Sequence, residues 1–501
     1  MIRPALFAWT ALAVAACGGP ETKQTYTVVT VNGRPAVHDV NVLRVTLSNN
    51  GSERTDELAF AGSFPYTFSV SAPDRDGDLG IQIEALDENS FVIGRGGAMA
   101  AIDDASATVM LDSTDFVVNT DVAGDQFPSD DFEAHGFQVA ADAAGQWTVG
   151  YRDSCDTPCN MFARRFDLSG KAVSTRIAAG ENGFPVSTEL TNSFFNTPAV
   201  AVSGQATLVV WGFSEPAPST IDGIGCRSLD SQGNAIPSQL NINAEPNAEV
   251  VSIVALSNQN FAITWDSIMT TSVIRAAIVR ADCTQLAAPV SVSTMGSGRK
   301  GAVAAHPTAN KILYAWILNG AVRVRIANLT NAFDIVDTEF LPAGTVEMAE
   351  HVRVAPLGAG FAILVRFPGH IDLYRTSATG AVIGQPTIVS ANTGTDFQST
   401  EAFGVVTSAS DKLFVTWHAC DTNGDGQGCG VFGRAFNNDG SPASEELVIP
   451  TTTVGDQMNP SVAALPNNAF VVVWRDDSAQ TPDTSGSAVR ARIVYLDGAG
   501  N

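Results

Sequence analysis

One pattern recurs along most of this chain, and it limits what the chain can fold into. From about residue 115 onward, a short apolar strand, a small turn and a second strand ending in an aromatic residue are followed by a variable polar loop, a third strand with Arg, a Gly turn and a fourth strand. The clearest copy runs Pro460-Ser461-Val462-Ala463-Ala464, Phe470-Val471-Val472-Val473-Trp474, Val489-Arg490-Ala491-Arg492-Ile493 and Asp497-Gly498. The position of Trp474 is matched by Tyr151, Trp211, Trp265, Trp316, Val365 and Trp417, at successive spacings of 60, 54, 51, 49, 52 and 57, which makes seven units. The turns Ser169-Gly170, Gln232-Gly233, Thr379-Gly380 and Asp439-Gly440 keep the same phase, with Gly supplying the positive φ of a tight hairpin. A unit this short cannot bury its apolar faces alone, so the units must stack on one another.

Four short strands per unit of about 50 residues resemble the blades of a β-propeller, of the seven-bladed kind found in bacterial extracytoplasmic proteins. The WD signature is missing. The resemblance implies an all-β ring over residues 113–501, with the aromatic column packed between neighbouring blades. The seventh unit has no fourth strand, and a counterpart stands ahead of the first unit: Phe116-Val117-Val118-Asn119 precedes Gly124-Asp125-Gln126 as Leu447-Val448-Ile449-Pro450 precedes Gly455-Asp456-Gln457. Pairing of residues near 115–119 with the last unit is therefore expected to close the propeller through its N- and C-terminal strands.

Residues 26–112 do not share the repeat. Alternating segments such as Asn41–Leu47, Tyr66–Val70, Leu79–Leu86 and Ala107–Leu111 predict a small antiparallel β-sandwich, similar in pattern to immunoglobulin-like or transthyretin-like modules but without a Cys-Trp-Cys signature. It is expected to act as a spacer, with a separate binding module as the other reading.

Ahead of it, Met1-Ile2-Arg3-Pro4 and the apolar run Ala5–Ala16 have the form of a signal peptide over residues 1–16. The run ends Val14-Ala15-Ala16-Cys17-Gly18-Gly19, which resembles the lipobox of bacterial lipoproteins. That resemblance implies cleavage before Cys17, a diacylglyceryl group and palmitate-type acylation on Cys17, and a lipidated tether over residues 17–25. An ordinary signal peptide with Cys17 incidental is the alternative. Gly18 in place of Asp favours the outer membrane, facing either the periplasm or the outside.

Six cysteines remain beside Cys17, and an even number in an exported chain reads as disulfides. Cys155 with Cys159 and Cys420 with Cys429 form local staples, which leaves Cys226 for Cys283. Zinc is the competing reading, although no His pair accompanies these spacings. Lys plus Arg total 28 against 52 Asp plus Glu, a net charge of −24 that argues against nucleic acid and against an anionic membrane surface.

In a propeller, the loop into each first strand and the loop from second to third strand share a face. Units one, two, six and seven carry long second-to-third loops, which contribute Asp153 and Asp156, Glu215 and Asp222, Asp421, Asn423 and Asp425, and Asp476, Asp477 and Asp483. Once the ring closes these form one acidic arc, suited to a cation or a basic partner. Asp421-x-Asn423-x-Asp425-Gly426 matches the start of a calcium loop, but its twelfth position is Phe432 where a bidentate Glu belongs. Calcium and a disulfide-held solvated turn both fit. Asp74, Asp76 and Asp78 offer a weaker version of the same spacing.

The incoming loops add Asp130, Asp131, Glu133, Glu249, Arg299, Lys300, Glu350, His351 and Glu401. Paired carboxylates among them suit glycoside chemistry, yet sialidase Asp-boxes, G-x-S-x-G and H-E-x-x-H are absent, and six His residues show no ligand spacing. The expected function is that of a monomeric, lipid-anchored envelope protein presenting its loop face to a protein or glycan ligand. A glycan-active or other hydrolytic enzyme is the alternative.

Overall fold

The computed structural model describes residues 26–72, 75–102, 106–119, 126–127, 138–153, 161–173, 184–185, 194–195, 198–204, 206–214, 222–243, 248–268, 272–293, 298–329, 334–335, 349–390, 403–420 and 424–496. The expected signal sequence and tether, with Cys17, lie outside this set. Among the described residues no helix is long and apolar enough to cross a membrane.

The chain is all-β, and its larger part is a seven-bladed propeller. The first strands of the blades are Gln138–Ala141, Ala199–Ser203, Ala248–Ala255, Gly298–Ala305, His351–Leu357, Phe403–Thr407 and Gln457–Ala464. Each touches the next, and that of blade seven touches that of blade one, so these strands ring a central channel. Each blade continues outward as an antiparallel sheet. In the seventh sheet the outermost position is taken by Phe116–Val117, which pairs with Ala488–Tyr495 through Arg490↔Val117 and Ala491↔Phe116.

The aromatic column stands between blades. Trp265, Trp316, Trp417 and Trp474 and the ring of Tyr151 are buried, each in an apolar cluster shared with the preceding blade. Val365 takes the same place in blade five, where Phe361, Phe367 and Tyr374 supply the bulk. Burial of these rings by a neighbouring blade is the main favourable term holding the ring together. The hairpin glycines behave as their spacing predicts: Gly170 and Gly440 have φ of 82° and 79°.

Cys226, in the third strand of blade two, is joined to Cys283, just past the third strand of blade three, with Cα atoms 5.9 Å apart. The second disulfide, Cys420–Cys429, closes the second-to-third loop of blade six. The Cys155–Cys159 pair lies outside the described residues. Buried disulfides of this kind point to an extracytoplasmic protein.

The N-terminal unit differs from the expected sandwich. Its strands are β1 (Tyr26–Gly33), β2 (Val42–Asn49), β3 (Ser52–Ala59), β4 (Tyr66–Ser71), β5 (Asp78–Leu86), β6 (Val92–Ala101) and β7 (Ser106–Ser113). They follow one hydrogen-bonded path, β3-β2-β5-β6-β7-β1-β4, curled as a half-barrel about a core that includes Val29, Leu43, Ile81, Val109 and Leu111. The path turns at β7, which pairs with β6 only through Gly94↔Ser113 and Arg95↔Asp112 but with β1 over Val28–Gly33 in parallel. Glycine makes this turn possible, because a Cβ on Gly96 would stand 2.1 Å from the Met110 carbonyl oxygen. The unit is fastened to blade seven: Arg492 Nε donates to Ser113 O at 3.0 Å, Ser113 Oγ donates to Ile493 O at 3.2 Å, and Arg34 lies 4.7 Å above the Tyr495 ring.

Candidate functional site

The seven first strands enclose a channel cavity of about 470 Å3. Its wall is mostly Val and Ala, because the innermost strands crowd together and only small side chains fit; Ser252, Thr407 and Ser461 add hydroxyls. Two charged residues line it, Asp142 and Arg353. The Asp142 carboxylate is committed, accepting Arg165 Nη2 at 2.7 Å and the turn N–H groups of Ala144 and Gln146 at 2.9 Å each. The Arg353 guanidinium lies 5.6 Å from the centre of the Phe403 ring, and its Nη1 donates to Val352 O at 3.0 Å. Burial pulls the Arg353 pKa down to about 10, which leaves it charged at neutral pH.

Because each sheet is antiparallel, the start of the first strand and the end of the second share a face. On that face a polar seam crosses blades three to five. Asp266, directly after Trp265, accepts the backbone N–H groups of Lys300 and Gly301 in the next blade at 2.6 and 3.1 Å. Lys300 Nζ stands 2.7 Å from His351 Nε2. An ammonium has only protons to give, so opposite a protonated Lys300 the Nε2 atom is the acceptor. His351 and Arg366 are buried, and Arg366 Nε lies 3.6 Å from Glu350 Oε2.

The acidic arc is only partly described. Asp156, Glu215, Asp421 and Asn423 lie outside the described residues, as does Asp74. Asp153 ends the second strand of blade one opposite Gln126, and Asp222 opens the third strand of blade two opposite Ser214. In blade seven the carboxylates turn inward. Asp476 and Asp483 are each 1% exposed: Asp476 Oδ2 accepts Arg490 Nε at 2.7 Å, and Asp483 Oδ2 accepts Asn119 Nδ2 at 2.7 Å. Burial pushes the Asp476 carboxyl above the ordinary range despite Arg490. Asp477, half-buried, is paired with Arg475 Nε at 2.8 Å. Asp476 ties the loop to the third strand of blade seven and Asp483 ties it to Asn119, while Asp477 is engaged within its own segment, so none of the three is offered as a free carboxylate. Length and acidity made the loop visible in sequence; the inward turn depends on Arg490 and Asn119, which come from elsewhere in the chain.

In the disulfide-closed loop, Asp425 Oδ1 accepts Gln427 N at 3.0 Å, while its Oδ2 is buried with no hydrogen-bond partner. Burial is the main cause that pushes its carboxyl up, and Asp456 of the next blade adds to it. Among the described residues no three His, Cys, Asp or Glu side chains gather as a metal-binding group.

Lys300 and His351 were visible as polar residues of the incoming loops. Asp266 and Arg353 were not singled out, although each is a charged residue inside a mostly apolar strand, which is the signal that would have found them.

No family model and no curated protein matches this chain. Among solved structures, a protein of unknown function from Dyadobacter fermentans is 9% identical with a TM-score of 0.43, covering 76% of this chain and 98% of its own. The NanB sialidase from Streptococcus pneumoniae is 9% identical with a TM-score of 0.41, covering 95% of both chains. A fucose-specific lectin from Aleuria aurantia is 9% identical with a TM-score of 0.39, covering 63% of this chain and 96% of its own. Likeness at this level does not bear on what this chain binds.

Proposed function

We propose that this chain is an extracytoplasmic binding protein, lipid-anchored through Cys17 to the outer membrane, that presents the channel mouth and loop face of its propeller to a protein or glycan ligand. The observation that carries this reading is the channel: a cavity of about 470 Å3 walled by Val and Ala, with Arg353 as its cation. A wall of methyl groups supplies contact surface and shape, and its one carboxylate, Asp142, is already committed to Arg165 and to turn N–H groups. On this reading the pairing of Phe116–Val117 with Ala488–Tyr495 closes the ring, and the Tyr26–Ser113 unit is the spacer that lifts the propeller from the lipid.

The test is a glycan array and an envelope-protein pull-down with the full chain and with Ser461→Trp, which fills the channel. Binding that the substitution removes supports the reading. Turnover of aryl glycosides or release of reducing sugar overturns it in favour of a glycan-active enzyme.

A second reading concerns the blade-six loop, where the unpartnered Asp425 Oδ2 and the nearby Asp456 favour calcium held by Asp421, Asn423 and Asp425. Calcium would then raise the melting temperature over that in chelator, and Asp421→Ala or Asp425→Ala would abolish the rise. Absence of any shift retires the ion.

A further inference from the structure

A second cavity, of about 450 Å3, lies where the N-terminal unit meets blades one and seven, apart from the channel. Phe91 and Arg95 of the N-terminal unit line it, with Arg164 from the third strand of blade one, Thr452 from the loop into blade seven, and Thr481 and Arg490 from blade seven.

The three guanidiniums in this wall are not alike. Arg490 is held by Asp476 at 2.7 Å and faces Asp115 at 3.6 Å, all three side chains buried. Arg95 Nε is 3.1 Å from Glu84 Oε1. Arg164 has no such partner: its Nη1 donates to the Val118 carbonyl, its guanidinium lies 4.9 Å above the Phe166 ring, and its Nε makes no hydrogen bond. Among the described residues no carboxylate pairs with it. Burial lowers its pKa, the mark of a cation whose lost hydration is not made good by an anion. In a chain of net charge −24, a partly buried cation left without an anion beside an open cavity is a local exception that a ligand would complete.

The rest of the wall narrows the class of ligand. Phe91 is 40% exposed, an apolar ring set among Thr hydroxyls, guanidiniums and two carboxylates that are already engaged, Asp87 accepting Asn89 N and Phe91 N at 2.9 and 2.8 Å and Asp115 facing Arg490. A planar carboxylate matches the fork of a guanidinium. An aromatic ring beside hydroxyls suits a body that is apolar on one face and hydroxylated at its edge. We propose that this cavity binds an acidic sugar, its carboxylate on Arg164, the C–H face of its ring on Phe91 and its hydroxyls toward Thr452 and Thr481. The volume falls in the range of small-molecule sites. The site is separate from the channel and does not depend on the channel reading.

Isothermal titration of the full chain with galacturonic acid, N-acetylneuraminic acid and galactose tests it. At least one of the acids binds and galactose does not. Arg164→Gln weakens the acid by about tenfold or more, Phe91→Ala weakens it less, and Ser461→Trp in the channel leaves it unchanged. The proposal is overturned if neither acid binds, if galactose binds equally, or if affinity survives Arg164→Gln. Should Arg164→Gln fail to fold, Phe91→Ala decides, since its exposed ring carries little of the core; unchanged affinity there sinks the proposal. Acid binding lost in Ser461→Trp but kept in Arg164→Gln would move the sugar to the channel.

Discussion

Asp266 Oδ2 accepts the backbone N–H of Lys300 at 2.6 Å, although the two residues belong to consecutive blades. Lys300 has φ of 61° at a point where the strand register slips between Arg299 and Ala302, and the same carboxylate also takes Gly301 N. The arrangement recurs between blades six and seven, where His418, directly after Trp417, accepts Asn459 N at 3.4 Å and Asn459 has φ of 57°. The residue following the buried ring thus latches one blade to the bulge of the next.

Removing the latch leaves two backbone donors without their acceptor. Asp266→Ala is expected to lower stability by about 1–3 kcal/mol, and His418→Ala, whose bond is longer, by less. Urea unfolding measures both; an Asp266→Ala protein as stable as the parent would show that the latch contributes nothing.

The two described disulfides close chain segments of different length, with sequence separations of 57 and 9. Loop-closure entropy then predicts that losing Cys226–Cys283 is worse than losing Cys420–Cys429 by about 1.6 kcal/mol. Comparing Cys226→Ala/Cys283→Ala with Cys420→Ala/Cys429→Ala in denaturant decides it; equal losses contradict the entropic account.

Arg490 compensates Asp476 and Asp115 inside blade seven. Arg490→Met strands those carboxylates and is expected to destabilise by about 3–5 kcal/mol at neutral pH. The sign with pH follows from Asp476, whose folded-state pKa is raised by burial. A raised carboxyl pKa means that its protonated form suits the fold, so its contribution is best at low pH and is lost as pH rises through the folded pKa. Without Arg490 that pKa rises further, and the deficit should widen as pH rises above the ordinary carboxyl range of about pH 4. A deficit independent of pH would separate Arg490 from these carboxylates.

Asp425 behaves in the same sense, since burial raises its carboxyl too. In chelator, Asp425→Asn should melt higher than the parent at neutral pH, with the gap shrinking as pH falls through the folded pKa. In millimolar calcium the order should reverse if the loop holds the ion. Thermal scans in both buffers check this, and a lower melting point in chelator would refute the burial argument.

The repeat of an aromatic at the end of six of the seven second strands, from Tyr151 to Trp474 with Val365 in blade five, was enough to count seven blades, because a ring of that size must be buried wherever it recurs. The turn glycines at Gly170 and Gly440 were equally legible, since positive φ at a hairpin is a local demand. Local spacing likewise paired Cys420 with Cys429. The path of the N-terminal strands was not legible. Alternation tells which face of a strand is buried but not which neighbour it pairs with, and the turn at β7 rests on the close approach of Gly96 to Met110.

The site was decided later still. Asp476 and Asp483 look in sequence like any acidic loop residues, and they turn inward where Arg490 and Asn119 meet them in the fold. Arg164 is one of several strand arginines by sequence, and only the fold sets it against the Val118 carbonyl in the wall of a cavity shared with the N-terminal unit. The sequence by itself determined the all-β class and the number of blades, which depend on period and composition. Only the tertiary structure decided which charges are satisfied and which face a cavity, because that depends on distances between residues far apart in the chain.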